Sequence, residues 1–462
     1  MNITINNNTT IIADLDAATI AILCERLSFT DKSKEYQIRR LSKSIWGKTS
    51  QHLKQLQSEV DQCLVTVLSD DSVSIPTGLV GSLHDIIGAA ETHDLRSETG
   101  IKIALPWKKK PHEMREYQQE SHDAMIKDYR GLLNLATGLG KTLTATYMTR
   151  SIGRKTLVVC PSKAIAQQFF DILASAFGKE RIGFFGDGRS SIKDITVGIA
   201  PSVCNHIEDF KKAGLGVIIF DETHHIAATT FYTIAEALGD TGRIYGLTAT
   251  DFRNDGKDLL IEAGCGPTLI RRDAKWGIDN GFLAQPYFIV RDVPTIGYDY
   301  KDDKLKCYKA HILNNAVMKS QIEDDAQKFM SAGKRVLILV DEVAHGEELS
   351  KNLGIPFATG EDKLSQSYID DFNAKKVMGL VGTDGKISEG VDTRPVDVLI
   401  MAHFVASKGA VLQAVGRGLR KCEGKEVVII LDYCPLGSTM LTRHCKARVK
   451  MYRELTSNVK IV

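Results

Sequence analysis

The hydrophobic pattern changes character once along the chain, near residue 110. Before it, short apolar runs sit among polar stretches. CLVTVL (Cys63 to Leu68) reads as a strand, SIPTGLVGSLHDIIGAA as a turn leading into a short helix, and Ile38, Leu41 and Ile45 fall at helical spacing. From Glu113 onward, buried apolar strands alternate with amphipathic helices: TLVVC (Thr156 to Cys160), a helix from Ala164 to Phe177, GVIIF (Gly216 to Phe220) and RIYGL. That alternation predicts a parallel sheet flanked by helices. The pattern becomes irregular from about Trp276 to Tyr300, and a second run follows with KRVLILV (Lys334 to Val340), HGEELSKNLG, VMGLVGTD and VDVLIMA. The expected class is therefore α/β, with two tandem α/β domains at 111–275 and 276–462 behind a small α+β accessory domain at 1–110. Trp107, Lys108, Lys109, Lys110 and Pro111 read as an exposed linker, because three like charges beside a proline neither pack nor continue a helix.

A chain of 462 residues is too long for one ordinary core, which agrees with this division. The formal charge of +2 leaves no global field for nucleic acid, so any such attraction has to come from local patches. Two stretches qualify. Lys32 to Lys54 carries seven basic residues against Glu35 alone, with Arg39, Arg40, Lys43 and Lys48 as candidate phosphate contacts; a solvated helix face is the alternative. Ser438 to Leu455 carries Arg443, Lys446, Arg448, Lys450 and Arg453, and either touches a nucleic acid backbone or packs on the second domain. Nine cysteines without a CxxC pair read as buried thiols in a reducing compartment and argue against a zinc knuckle. The N-terminal residues lack the basic and apolar regions of a signal peptide, and no apolar run approaches the span of a bilayer. A cytoplasmic location and no membrane partner are expected.

The chemistry concentrates in LNLATGLGKT, Leu133 to Thr142. Gly138 and Gly140 let backbone N–H groups close on a phosphate, Lys141 reaches β/γ oxygens, and the Thr142 hydroxyl can ligate Mg²⁺. The strict phosphate-loop pattern has glycine where this chain has Leu135. GVIIF ends in Asp221-Glu222-Thr223-His224, and carboxylates beyond a strand's carboxyl end face the crevice where open α/β sheets bind ligands. Asp221 is placed to hold Mg²⁺ through water, and Glu222 to orient and deprotonate a water that attacks the γ-phosphate. Thr248 and Thr250 in LTAT can hydrogen-bond the acidic turn. In the second run, Arg417 and Arg420 lie three apart on an expected helix and suit a phosphoryl group in transfer.

In this order the residues resemble superfamily 2 helicases and translocases, over roughly Arg115 to Arg420. Tyr117-Gln118 matches the Q motif that contacts adenine, LATGLGKT motif I, VVCPSKAIAQQF motif Ia, DETH motif II, TAT motif III, GTDGKISEGVD motif V and QAVGRGLR motif VI. The resemblance implies two RecA-like domains using ATP and Mg²⁺, with Tyr117, Gln118, Thr137, Gly138, Gly140, Lys141, Thr142 and Asp221 binding nucleotide. It further implies that Gln413, Arg417 and Arg420 sense the γ-phosphate, and that His224, Thr248 and Thr250 couple hydrolysis to movement. LTATDFRNDGKD, VDEVAHGEEL and the N-terminal module look more like bacteriophage branch-migration helicases of the DExH type than like the RNA-unwinding DEAD-box group, although Asp251 stands where relatives commonly carry proline. The implied partners are single-stranded and branched duplex DNA, with recombination or replication proteins. An RNA helicase and the motor subunit of a restriction or repair complex are the alternatives.

Overall fold

The computed structural model describes residues 1–42, 51–88, 90–224, 228–249, 258–294, 299–300, 303–388, 395–403 and 408–462. Lys43, Lys48, Thr250 and residues 389–394 of the GTDGKISEGVD stretch lie outside the described residues. The chain forms two compact units, one of residues 1–135 with 140–271 and one of residues 136–139 with 272–462.

The first unit is built on an eight-stranded sheet. Its strand order is Arg189–Ser190, Ile182–Gly186, Ile195–Ile199, Thr156–Cys160, Val217–Phe220, Arg243–Thr248, Arg130–Leu135 and Thr268–Arg272. The five pairings from Ile182–Gly186 to Arg130–Leu135 are parallel, and Arg189–Ser190 closes one edge antiparallel. Thr156–Cys160 and Val217–Phe220 are buried at every position, as strands covered on both faces must be, which is why they read as unbroken apolar runs. The helix Lys163–Phe177 starts where Ser162 Oγ accepts from the Ile165 N–H, and it buries Ala166, Phe169, Phe170, Leu173 and Phe177.

Residues 1–110 carry their own five-stranded sheet, ordered Thr66–Ser69, Ser72–Pro76, Thr9–Ala13, Asn2–Ile5 and Glu91–Asp94. Its core of Ile3, Ile12, Leu23, Val73, Ile75 and Leu79 continues into Ala263 of the helix Asp258–Cys265. A Cβ on Gly78 would stand 2.1 Å from the Glu262 carbonyl oxygen. Arg130, almost wholly buried, donates to the Asn7 and Gly239 carbonyls at 3.0 and 3.1 Å. The accessory module and the 111–271 sheet thus form one compact unit, with no break between compact units at residue 110. The stretch Cys63 to Leu68 is not one strand; pairing breaks at Leu64 and Val65, between Asp61–Cys63 and Thr66–Ser69. Nor is the Trp107 segment an exposed linker. Trp107 stacks on Phe177 with centroids 5.0 Å apart, meets Tyr147 edge-on at 5.1 Å and lies under the Arg150 guanidinium. The aromatic area of Trp107 outweighs the preference of its three lysine neighbours for water.

The second unit has a seven-stranded sheet: Phe357–Ala358, Gly379–Thr383, Val336–Val340, Val398–Met401, Val427–Pro435, Gln285–Val293 and Val459–Ile461. Every pairing in it is parallel. Gln285–Val293 falls in the stretch that reads as irregular, yet it pairs residue for residue with Val427–Pro435. The C-terminal helix Thr439–Leu455 packs on this unit through Leu441, Cys445, Val449 and Tyr452. One of its five cations is structural: buried Arg448 binds Asp432 through Nε at 2.7 Å and Nη2 at 2.9 Å, and Tyr452 Oη donates to the same carboxylate at 2.8 Å.

All nine cysteines are free thiols, but Cys63 is exposed and Cys24, Cys204 and Cys422 are half-buried, so the reading of buried thiols holds for only five. Among the described residues no group of three His, Cys, Asp or Glu side chains is placed to hold a metal, and no helix is long and apolar enough to cross a membrane.

Candidate nucleotide site

The buried strand Arg130–Leu135 feeds a turn at 136–140 and then the helix Lys141–Ile152. Gly138 and Gly140 have φ of +91° and +87°, open to glycine at no steric penalty. Gly140 is fixed a second time, because a Cβ there would stand 2.3 Å from Gln118 Nε2. Gln118 is itself anchored, buried with its Oε1 accepting from the Arg115 N–H at 2.9 Å. Neighbouring Tyr117 is buried, with its hydroxyl 3.5 Å from Arg115 Nη1. Leu135, the departure from the strict pattern, is the fully buried last residue of the strand, and its carbonyl accepts from Lys141 Nζ at 3.3 Å. The leucine side chain completes the sheet where the pattern's glycine would leave a gap. Thr137 and Thr142 are half-buried in the turn and at the helix start. The unpaired N–H groups and dipole of such a helix start favour an anion.

Strand order brings the acidic turn to the same edge. Arg243–Thr248 lies between Val217–Phe220 and Arg130–Leu135, so three carboxyl ends stand side by side. The Asp221 N–H donates to the Val159 carbonyl at 2.9 Å and the Thr223 N–H to the Leu247 carbonyl at 3.1 Å, which pins the turn on both sides. Glu222 takes φ +45°, uncommon outside glycine, and its Oε1 lies 3.3 Å from Lys141 Nζ. Asp221 Oδ1 is buried and meets no hydrogen-bond donor among the described residues. Burial first, and then the Glu222 carboxylate, push the Asp221 carboxyl up to about 7, against the opposing pull of Lys141. A buried carboxylate oxygen held beside a second carboxylate is a fit for a divalent cation, which would relieve both penalties. His224 Nδ1 lies 3.5 Å from Glu222 Oε2 and shares a 2.9 Å hydrogen bond with Thr248 Oγ1. Lys141, Glu222, His224 and Thr248 therefore form one connected polar line across three strand ends.

In the second unit the helix Lys408–Gly418 carries Gln413 and Arg417. Arg417 is buried and donates to the Ile387 carbonyl. Arg420 does not share that helix, contrary to the expectation from spacing: the helix stops at Gly418 and Arg420 lies beyond its end. Lys425 sits at this stop, buried, with Nζ donating to the Gly418 carbonyl at 2.6 Å. Burial pushes its ammonium down to about 8. Nothing in the spacing of KCEGKE singles out that lysine.

A solved fragment of a candidate HsdR subunit of a type I restriction enzyme from Vibrio vulnificus shares the fold, with a TM-score of 0.55 at 19% identity over 78% of this chain and 70% of that one. The family model for the type III restriction enzyme res subunit matches residues 111–253. A candidate DNA 3'-5' helicase Rad25 of Haloarcula marismortui is 25% identical over 72% of this chain but only 54% of its own length, so the chain spans about half of such haloarchaeal relatives. The DNA 3'-5' translocase XPB2 of Sulfurisphaera tokodaii is 32% identical over 73% of this chain and 85% of that protein. The chain belongs to the superfamily 2 helicases and translocases.

The eight-stranded sheet of the first unit and the seven-stranded sheet of the second have the tandem RecA-like architecture of that superfamily, and the first unit holds the accessory module as well. In the first RecA-like unit, Gln118, Gly140, Lys141, Asp221, Glu222, His224 and Thr248 come together as described. The basic face expected on the accessory module is partly neutralised, since Arg39 pairs with Glu35 at 2.5 Å and Lys34 with Glu59 at 2.7 Å. Arg40 remains exposed.

Proposed function

We propose that this superfamily 2 chain is an ATP-driven motor that moves on DNA and remodels branched structures such as forks and junctions. The observation that carries it is the convergence of Gly140, Lys141, Asp221, Glu222, His224 and Thr248 on one sheet edge. In this reading Gly138, Gly140 and the first turn of the helix Lys141–Ile152 hold the phosphates, Lys141 neutralises β/γ oxygens, and Tyr117 and Gln118 flank the adenine. Thr142 and Asp221 hold Mg²⁺, which supplies charge neutralisation for the transferring phosphoryl group. Glu222 orients the attacking water and takes its proton, and the fixed polarity of the turn stabilises the charge that develops. Gln413, Arg417 and Arg420 of the second unit act on the γ-phosphate. In this reading Arg420 is the transition-state arginine. The His224–Thr248 bond passes the state of the acidic turn to the neighbouring strand end, which suits coupling of hydrolysis to movement.

DNA rather than RNA is supported by the names of the relatives, a DNA translocase and a DNA helicase. The match to a restriction-enzyme res subunit over residues 111–253 favours one second reading, a motor that serves a nuclease partner. The test is ATP turnover and unwinding over forks, four-way junctions and linear duplexes, with matched RNA alongside and Lys141→Ala as the inactive control. Branched DNA should stimulate turnover and be remodelled. Stimulation by RNA alone, or turnover that survives Lys141→Ala, would overturn the reading.

A further inference from the structure

The helix Thr439–Leu455 carries five cations and one carboxylate, Glu454. Arg448 points inward to Asp432, on the same side as the buried Leu441, Cys445 and Tyr452. At 100° per residue, Arg443, Lys446, Lys450 and Arg453 fall within an arc of about 80° on the far side. All four are exposed, and none makes an ion pair or side-chain hydrogen bond among the described residues. Three other lysines of this unit, Lys275, Lys319 and Lys376, are matched with Asp279, Glu348 and Asp371, whereas exposed cations without a pair among the described residues, such as Lys328 and Lys351, stand singly and in no such stripe.

Like charges three and four residues apart destabilise a helix, and this stripe contains three such pairs in succession: Arg443 with Lys446, Lys446 with Lys450, and Lys450 with Arg453. The helix dipole accounts for a cation in the last turn, but not for Arg443 and Lys446 in the N-terminal half. A spread of ten residues is about 15 Å along the axis, and a duplex presents roughly one phosphate charge per 1.7 Å of its own axis. The supporting helix is also rigid, because Arg448 and Tyr452 both clamp Asp432 on the strand Val427–Pro435.

We propose that Arg443, Lys446, Lys450 and Arg453 form a grip for the phosphate backbone of duplex DNA. The proposal rests on the reading of this chain as a DNA motor and adds to it a specific surface on the second unit. Such a grip reads backbone and not sequence.

The test uses the full chain with Arg443→Gln, Lys446→Gln, Lys450→Gln and Arg453→Gln combined. Binding to a blunt random-sequence duplex is followed by fluorescence anisotropy over a sodium chloride series, with DNA-free ATP turnover measured beside it. The slope of log K against log salt should fall by about 3 to 4, near 0.9 for each lost contact, and Kd at moderate salt should rise about tenfold or more. DNA-free turnover should stay unchanged, and the charge-preserving set Arg443→Lys, Lys446→Arg, Lys450→Arg and Arg453→Lys should keep the wild-type slope. Coincident slopes and affinities for the glutamine set and wild type would overturn the grip and leave the stripe to a protein partner. Absence of DNA-stimulated turnover in the wild type instead removes the motor reading, and the two failures are read in separate assays.

Discussion

His224 and Thr248 join two neighbouring strand ends through a single 2.9 Å hydrogen bond, with His224 also 3.5 Å from the Glu222 carboxylate. Because this bond ties the acidic turn to the next strand end, Thr248 is the place to separate hydrolysis from movement. Thr248→Ala should keep DNA-stimulated ATP turnover within a few-fold and abolish unwinding. Turnover and unwinding measured on the same preparation decide it, and a parallel loss of both denies Thr248 a coupling role.

Glu222→Gln retains the shape of the side chain without the base. ATP binding, followed with a fluorescent analogue, should persist, while turnover falls by about 10² to 10⁴, the contribution of a positioned general base. If binding disappears as well, the contact with Lys141 at 3.3 Å is structural in purpose.

Gly140→Ala meets two obstacles, the left-handed backbone at φ +87° and the Gln118 amide 2.3 Å from the new Cβ. The conformational part alone is about 1–2 kcal/mol. Nucleotide affinity should fall sharply, and adding Gln118→Ala should relieve the clash and recover part of the stability. Calorimetric affinities and melting temperatures for the two single variants and the double test this. Wild-type nucleotide affinity in Gly140→Ala would remove the loop from the site.

His345 is 2% exposed, and neither ring nitrogen has a hydrogen-bond partner among the described residues. Burial, and then nearby Lys319, push its imidazole down to about 4. With a folded value below the ordinary one, its contribution is fully present above pH 6.5 and is lost as pH falls toward 4. That loss is bounded near 3.5 kcal/mol, at about 1.4 kcal/mol for each unit. His345→Phe should therefore cost more stability relative to wild type at pH 7 than at pH 5, a narrowing that denaturant midpoints at the two pH values would show. A constant difference between the two proteins would contradict it.

The nucleotide edge was legible because its chemistry is written in consecutive residues. GLGKT, DETH and TAT each follow an apolar run, and parallel strand order alone brings the ends of such runs together. Contacts made at long range were not legible. Trp107 reads as solvent-facing beside three lysines until Phe177 and Tyr147 are seen to receive it. Arg448 looks like one of five equivalent cations until Asp432, sixteen residues earlier, claims it. The spacing of Arg420 from Arg417 suits one helix, but the helix stops at Gly418, whose carbonyl Lys425 caps from a distance in sequence. Gln285–Val293 gives no uniform apolar run because it is half-buried, alternating inside and out, unlike the uniformly apolar strands around it.

That strand has a consequence for how the chain is made. Gln285–Val293 is synthesised first in its sheet, yet its partners are Val427–Pro435 and Val459–Ile461, so Gln285 meets Val427 only about 140 residues later. At ribosomal rates of roughly 5–20 residues per second, its apolar face and both unpaired edges wait on the order of ten seconds for cover. A nascent chain in that interval offers an open edge to any other strand. The second unit therefore needs protection during translation most acutely between the emergence of Val293 and that of Pro435, and its yield in the cell should respond to chaperone supply and to synonymous codons that slow or hasten that window.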